Sequence, residues 1–194
     1  MSSWMSGIYL PLLRVRGRRR LASALAVALS GTLTAPSPAL TQTKPALEQS
    51  FADSLTNMPQ EDLVVSGGFY VPAYSSVAMS QGKLRVDFYV TLSVHNASET
   101  QPLVLKRIVY FDTAGKMVES FLKAPVALRP LASLSVAIPT DDVRGGTGAN
   151  FIIDWAATGA IAEPVVEALM VGGLANAHYA FISQGRPTRT VGAR

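Results

Sequence analysis

The chain has 194 residues, with 17 Lys and Arg against 13 Asp and Glu and no cysteine. That length allows one domain with a core of its own. The absence of thiols excludes disulfides, a lipidated N-terminal Cys, a thiol nucleophile and Cys-ligated zinc or clusters.

The excess of base is local. Arg14, Arg16, Arg18, Arg19 and Arg20 are the only charges before Lys44, and the apolar run LASALAVALSGTLTA follows them. A basic stretch, a short apolar stretch and then small residues describe a secretory signal peptide over residues 1–39, cleaved after Ala39 with Ser37 and Ala39 at positions −3 and −1. The run is too short and too rich in small residues for a membrane span. Removing it takes away five of the seventeen basic residues and no acidic one, leaving twelve against thirteen and a net charge of −1. A nucleic-acid reading of the high pI therefore loses its ground. The expected location is periplasmic or secreted, by Sec export or, given the twin arginine before Leu21, by Tat.

Residues 40–66 read as a linker that forms a short helix or stays disordered. Leu47, Phe51, Leu55 and Met58 recur at helical spacing, and Pro59 closes the pattern. From Gly67 the period changes to two. In KLRVDFYVTLSVHN, Leu84, Val86, Phe88, Val90, Leu92 and Val94 alternate with Arg85, Asp87, Tyr89, Thr91, Ser93 and His95, which predicts one long strand with a single face in the core. FYVPAY precedes it as a strand whose Pro72 suits an edge. LVLKRIVYF and MVESFL flank DTAGK as a hairpin, with Gly115 free to take positive φ. LSVAI, NFIIDW, PVVEALMV and HYAFIS follow, separated by Pro- or Gly-bearing turns. The expected fold is all-β, an antiparallel immunoglobulin-like β-sandwich of seven or eight strands over residues 67–186, with 187–194 as a tail. A small barrel is the alternative.

The glycines of DDVRGGTGANFIIDW are not followed by the Lys and Ser or Thr of a Walker loop, nor by the helix that a dinucleotide fingerprint needs. Apolar and β-branched residues follow instead, so the chain leaves the loop as a strand, and the glycines serve a sharp turn or a close backbone approach.

Six segments together resemble an uncharacterised bacterial family, the domain of unknown function 3124. They are FYVPAYSSV, VTLSVHNAS, YFDTAGKMV, APVALRPLAS, GGTGANFIIDW and EPVVEALMVG, and the resemblance runs from about Gly68 to Gly185. It implies an exported envelope protein, without the lipidated Cys that many members carry. It implies no activity and transfers no catalytic residue.

If every connection reverses the chain, the loops at 80–82, 112–115, 139–149 and 172–177 share one end of the sandwich. Asp112, Asp141 and Asp142, with glycine carbonyls, would offer that pole the hard oxygen ligands that Ca²⁺ takes, although Asp also favours turns because it satisfies turn amides. Calcium is the one cofactor this pattern suggests. His95 and His178 are the only histidines, and a triad of either with Asp87, Asp112 or Asp154 and a serine has no local motif behind it. No catalytic residue is assigned. Phe69, Tyr70, Tyr74, Tyr89, Tyr110 and Tyr179 are core and sheet aromatics or, where exposed together, a ligand platform. Asn96–Ala97–Ser98 has the form of a glycosylation acceptor and reads more simply as a polar turn.

The expected function is a non-catalytic binding or interaction module of the envelope, recognising an envelope protein or a glycan through its loops or an exposed edge. A calcium or small-ligand binder at the acidic pole is the alternative, and a hydrolase ranks third.

Overall fold

The computed structural model describes residues 47–192; the signal-peptide segment expected over residues 1–39 lies outside them. One helical turn, α1 (Leu47–Ser50), and a 3-10 turn at Ala52–Ser54 lead into twelve strands. These are β1 (Leu55–Thr56), β2 (Val65–Pro72), β3 (Ser76–Met79), β4 (Leu84–His95), β5 (Leu103–Phe111), β6 (Met117–Ser120), β7 (Val126–Leu128), β8 (Ser133–Ile138), β9 (Asn150–Ala157), β10 (Val165–Leu174), β11 (Ala177–Gln184) and β12 (Arg186–Val191).

The strands form two antiparallel sheets. The first runs β1-β7-β5-β9-β2-β12, with β6 on the same side of β5 as β7; the second runs β11-β10-β4-β3, with β8 beside β3 along β4. Their inner faces share one core. Phe69, Val71, Leu105, Ile108, Tyr110, Phe151, Ile153 and Trp155 come from the first sheet, and Phe88, Val90, Leu92, Val94, Leu134, Val136, Ile138, Val166, Ala168 and Met170 from the second. The alternation of β4 explains its central place: Val86 to Val94 at every second position are buried, each by roughly 1.5–3 kcal/mol of apolar transfer.

Twelve strands stand where alternation predicts seven or eight. β1 and β7 have two and three residues, too few to show a period, and β12 carries two Arg and a Pro that read as a tail. β2 is not an edge. It lies between β9 and β12, and Pro72 is tolerated because it is the last residue of the strand, two beyond Tyr70, where the pairing with β12 ends.

The helical stripe ahead of the sheets is broken early. Leu47, Phe51 and Leu55 do pack on the core, but helix gives way at Leu55, which pairs with Leu128. Arg129 holds the crossing, donating its backbone N–H to Ser54 O (3.0 Å) and Nε to Leu55 O (2.8 Å). Strand pairing here outweighs helical spacing, since one turn of helix gains little by itself.

Candidate functional site

The pole carrying the expected calcium ligands is assembled by the GGTG loop. Gly145 O accepts from both the backbone N–H and Oγ1 of Thr113 (3.0 Å each), Thr113 Oγ1 accepts from Gly148 N–H (2.9 Å), and Ser75 Oγ donates to Gly146 O (2.7 Å). Gly146 has φ +71°, and a Cβ there would lie 2.8 Å from Thr113 Oγ1. The loop is thus a clasp over the β5–β6 turn, and its glycines answer to close approach and a left-handed backbone.

Two of the three carboxylates expected at the pole, Asp112 and Asp142, are committed. Asp112 Oδ1 accepts from Ala114 N–H (2.9 Å) and Lys116 N–H (2.8 Å), closing the turn in which Gly115 has φ +77°. Asp142 Oδ1 accepts from Arg144 N–H (3.1 Å) and Nε (2.8 Å), its Oδ2 from Arg144 Nη2 (2.6 Å), and Arg144 Nη2 also reaches Glu119 (3.1 Å). The hydrogen bonds from Arg144 hold the Asp142 carboxyl below the usual carboxylate range. Asp141 is exposed. Among the described residues no group of three or more His, Asp and Glu stands close enough to hold a metal ion, and Ca²⁺ at this pole would have to displace Arg144 and the turn amides.

The histidines lie far apart. His95 ends β4 opposite Val165 and Ser133, whereas His178 pairs with Gly173 near the start of β4, where Phe88 meets Gly172. Strand rise places them about 25 Å apart. The acids named with them are occupied: Asp87 by Arg85 (2.7 Å), and Asp154 by Arg107 and Arg189 (2.7 Å each). Asn96 is buried, with Nδ2 donating to Gln101 O (2.8 Å), Arg129 O (3.0 Å) and Leu128 O (3.4 Å), so this side chain braces two connections.

The aromatics divide by position. Phe69 and Tyr110 are core, Tyr70 and Tyr89 are exposed, and Tyr74 and Tyr179 are partly buried against the core near Phe88, an inward residue of β4, and Phe181, which the aromatic pattern did not single out. Phe181 meets Phe88 edge to face (centroids 5.2 Å) and Tyr74 at 5.9 Å. The Phe88 and Phe181 rings border an open groove of about 540 Å³, lined by Val77 and Met79 of β3, Phe88 of β4, and residues His178 to Phe181 of β11. Gly172 shapes it, for Phe88 lies across this glycine and a Cβ there would meet its ring at 2.8 Å.

β11 is the wall of the groove and, among the described residues, also the end of its sheet, pairing only with β10. From Ala177 to Gln184 it has no Asp, Glu, Lys, Arg or Pro. Phe181 is 36% exposed and Ile182 57%. On the outer face two rows cross the sheet, Tyr89–Val171–Ala180 and Thr91–Leu169–Ile182, and Tyr89, Leu169, Val171 and Ile182 are all exposed. Edge strands in soluble proteins are commonly defended by charge, proline or a bulge. β12, the end of the other sheet, has Arg186, Pro187, Arg189 and a bulge, whereas β11 has none of these.

The model of a family described as "Protein of unknown function (DUF3124)" matches residues 66–188. No curated protein matches the chain. Among solved structures, "Crystal Structure of Thermotoga maritima 1070", from Thermotoga maritima, is similar over 66% of this chain and 96% of that chain, at 14% identity and a TM-score of 0.37.

Proposed function

We propose that this chain, which belongs to the DUF3124 family of proteins of unknown function, is an exported, non-catalytic interaction module that takes an extended protein segment as an added strand along β11. The observation that carries the reading is the undefended edge of β11 beside an apolar groove. Strand addition draws affinity from backbone groups and selectivity from side-chain pockets at alternate positions. The groove formed by Val77, Met79, Phe88, Tyr179 and Phe181 offers such a pocket to apolar side chains. The basic and then apolar run over residues 1–39 supports export to the periplasm or beyond. Among the described residues no helix is long and apolar enough to cross a membrane.

The test is photo-crosslinking in cells that express the full chain. A crosslinking amino acid in place of Ile182 should give protein adducts that Ala180→Lys suppresses. The same probe at Leu131, an exposed position in the turn between β7 and β8, should give none. Equal yields at both positions, or none at Ile182, would overturn the reading.

A further inference from the structure

The backbone groups that β11 leaves free can be identified. Gly185 N–H donates to Val166 O (2.7 Å), which sets the phase of the β10–β11 ladder. Bonded rungs then fall at Tyr179/Gly172 and Phe181/Met170, and His178, Ala180, Ile182 and Gln184 turn their N–H and C=O groups to the open edge. A strand added antiparallel draws its backbone hydrogen bonds from these residues.

The strand reads nearly alike in both directions from Ala180. Aromatics stand on either side at Tyr179 and Phe181, His178 and Ile182 come next, and small residues follow at Ala177 and Ser183. A two-fold axis at Ala180 would pair Ala180 with itself, His178 with Ile182 and Tyr179 with Phe181. Every pairing joins residues on the same face, as a pleated sheet requires. It also joins free backbone groups to free backbone groups. The outer row Tyr89–Val171–Ala180 would run on into the same row reversed, and inner aromatics would meet inner aromatics twice. Between Ala177 and Gln184 there is no Asp, Glu, Lys or Arg, and the axis sets His178 against Ile182 and not against its own copy, so nothing in β11 opposes a second β11, whereas β12 would bring arginines together.

We infer that the segment received by β11 is the β11 of a second copy of this chain, joined about a two-fold axis at Ala180 into one sheet continuous across the pair. The inference rests on the reading of β11 as a recognition edge and names its occupant. An isologous contact of this kind is closed, so it makes a dimer and not a fibre.

The absence of native cysteine makes introduced ones unambiguous. Directly opposed residues in antiparallel strands have Cα atoms about 4.5–5.5 Å apart, inside the disulfide range. In the proposed register Ile182 stands four residues, about 13 Å, from its own copy. The full chain with Ala180→Cys should therefore form a disulfide-linked dimer under mild oxidation, and Ile182→Cys should not. The unsubstituted chain should sediment at twice its own mass and Ala180→Lys at once, with the melting transition of the Lys variant showing that it folds. A monomeric unsubstituted chain, or linkage through Ile182→Cys as ready as through Ala180→Cys, would overturn the inference. Should the chain be monomeric while the probe at Ile182 still captures another protein in cells, the second copy is ruled out and strand addition stands; with no capture either, both fall.

Discussion

The hydroxyl of Tyr110 occupies the place where Gly145 would carry a Cβ. Tyr110 is wholly buried and among the described residues its hydroxyl has no hydrogen-bond partner, the Ser75 hydroxyl donating instead to Gly146 O. Burial dominates and pushes the phenol's pKa up. Gly145→Ala should therefore cost roughly 1–3 kcal/mol, as overpacking does. Tyr110→Phe should be neutral or stabilising because it removes an unpaired buried polar group. The double variant should recover only part of the loss, as read in urea melts, because the ring Cζ (2.5 Å) and Ala149 Cβ (2.8 Å) still crowd the added Cβ. If the two costs simply add, the contact is not what requires the glycine.

The same phenol makes a pH prediction. A pKa raised by folding favours the neutral form, so its contribution is intact below about pH 10, the unfolded value, and is lost as pH rises through the folded value. Tyr110→Phe should retain more of its stability in that alkaline window than the parent. Parallel profiles for the two would remove Tyr110 as the titrating group.

Asn96 ties the β4–β5 connection to the β7–β8 turn through its Nδ2. Asn96→Ala removes the Nδ2 bonds to three carbonyls and the bond that Asn96 Oδ1 accepts from Ser98 N–H, and should cost about 1–3 kcal/mol. Asn96→Asp is the sharper probe, because it sets a carboxylate against the carbonyls of Gln101, Leu128 and Arg129. That site favours the protonated acid, so the penalty should ease as pH falls and grow above the ordinary Asp pKa of about 3.9. Equal pH dependence of the Ala and Asp variants would contradict this.

Asp142 has the opposite sign. Its folded pKa is depressed by Arg144, so the stability it adds is present above the ordinary Asp pKa and is lost as pH falls through the depressed value. Arg144→Ala should flatten acid unfolding in that window. With Asp112 and Asp142 already bonded, millimolar Ca²⁺ should leave the parent melting temperature unchanged. A rise abolished by Asp141→Ala with Asp142→Ala would instead establish a calcium site.

How far each feature was legible in the sequence follows from the range of its causes. β4 declares itself because six alternating apolar residues suffice, and the hairpin at Gly115 because its turn chemistry is local. β2 was misplaced since Pro72 speaks for an edge unless one knows that β12 stops at Tyr70. Asn96 looked like a turn residue, and its burial depends on the Arg129 carbonyl 33 positions away. The run AHYAFISQ, without Asp, Glu, Lys or Arg, is visible in the sequence, but its place at the end of a sheet is a matter of strand order. The groove needs β3, β4 and β11 together, and no local period records that.

The hairpin that presents β11 turns on Ala175, which has φ +51° between Leu174 and Asn176. An L-residue with a Cβ is strained there by roughly 1–2 kcal/mol, against about 0.5–1 kcal/mol of extra chain entropy that glycine would lose on folding. Ala175→Gly should therefore stabilise the protein by about 0.5–1 kcal/mol, a rise of a few degrees in melting temperature for a chain of this size. Because the turn lies outside Ala177 to Gln184, the substitution leaves the β11 edge chemically intact, and crosslinking through Ala180→Cys should persist in the double variant. A loss of stability would mean that the left-handed turn is not adopted in solution, and the register that brings Ala180 to the axis would fail with it.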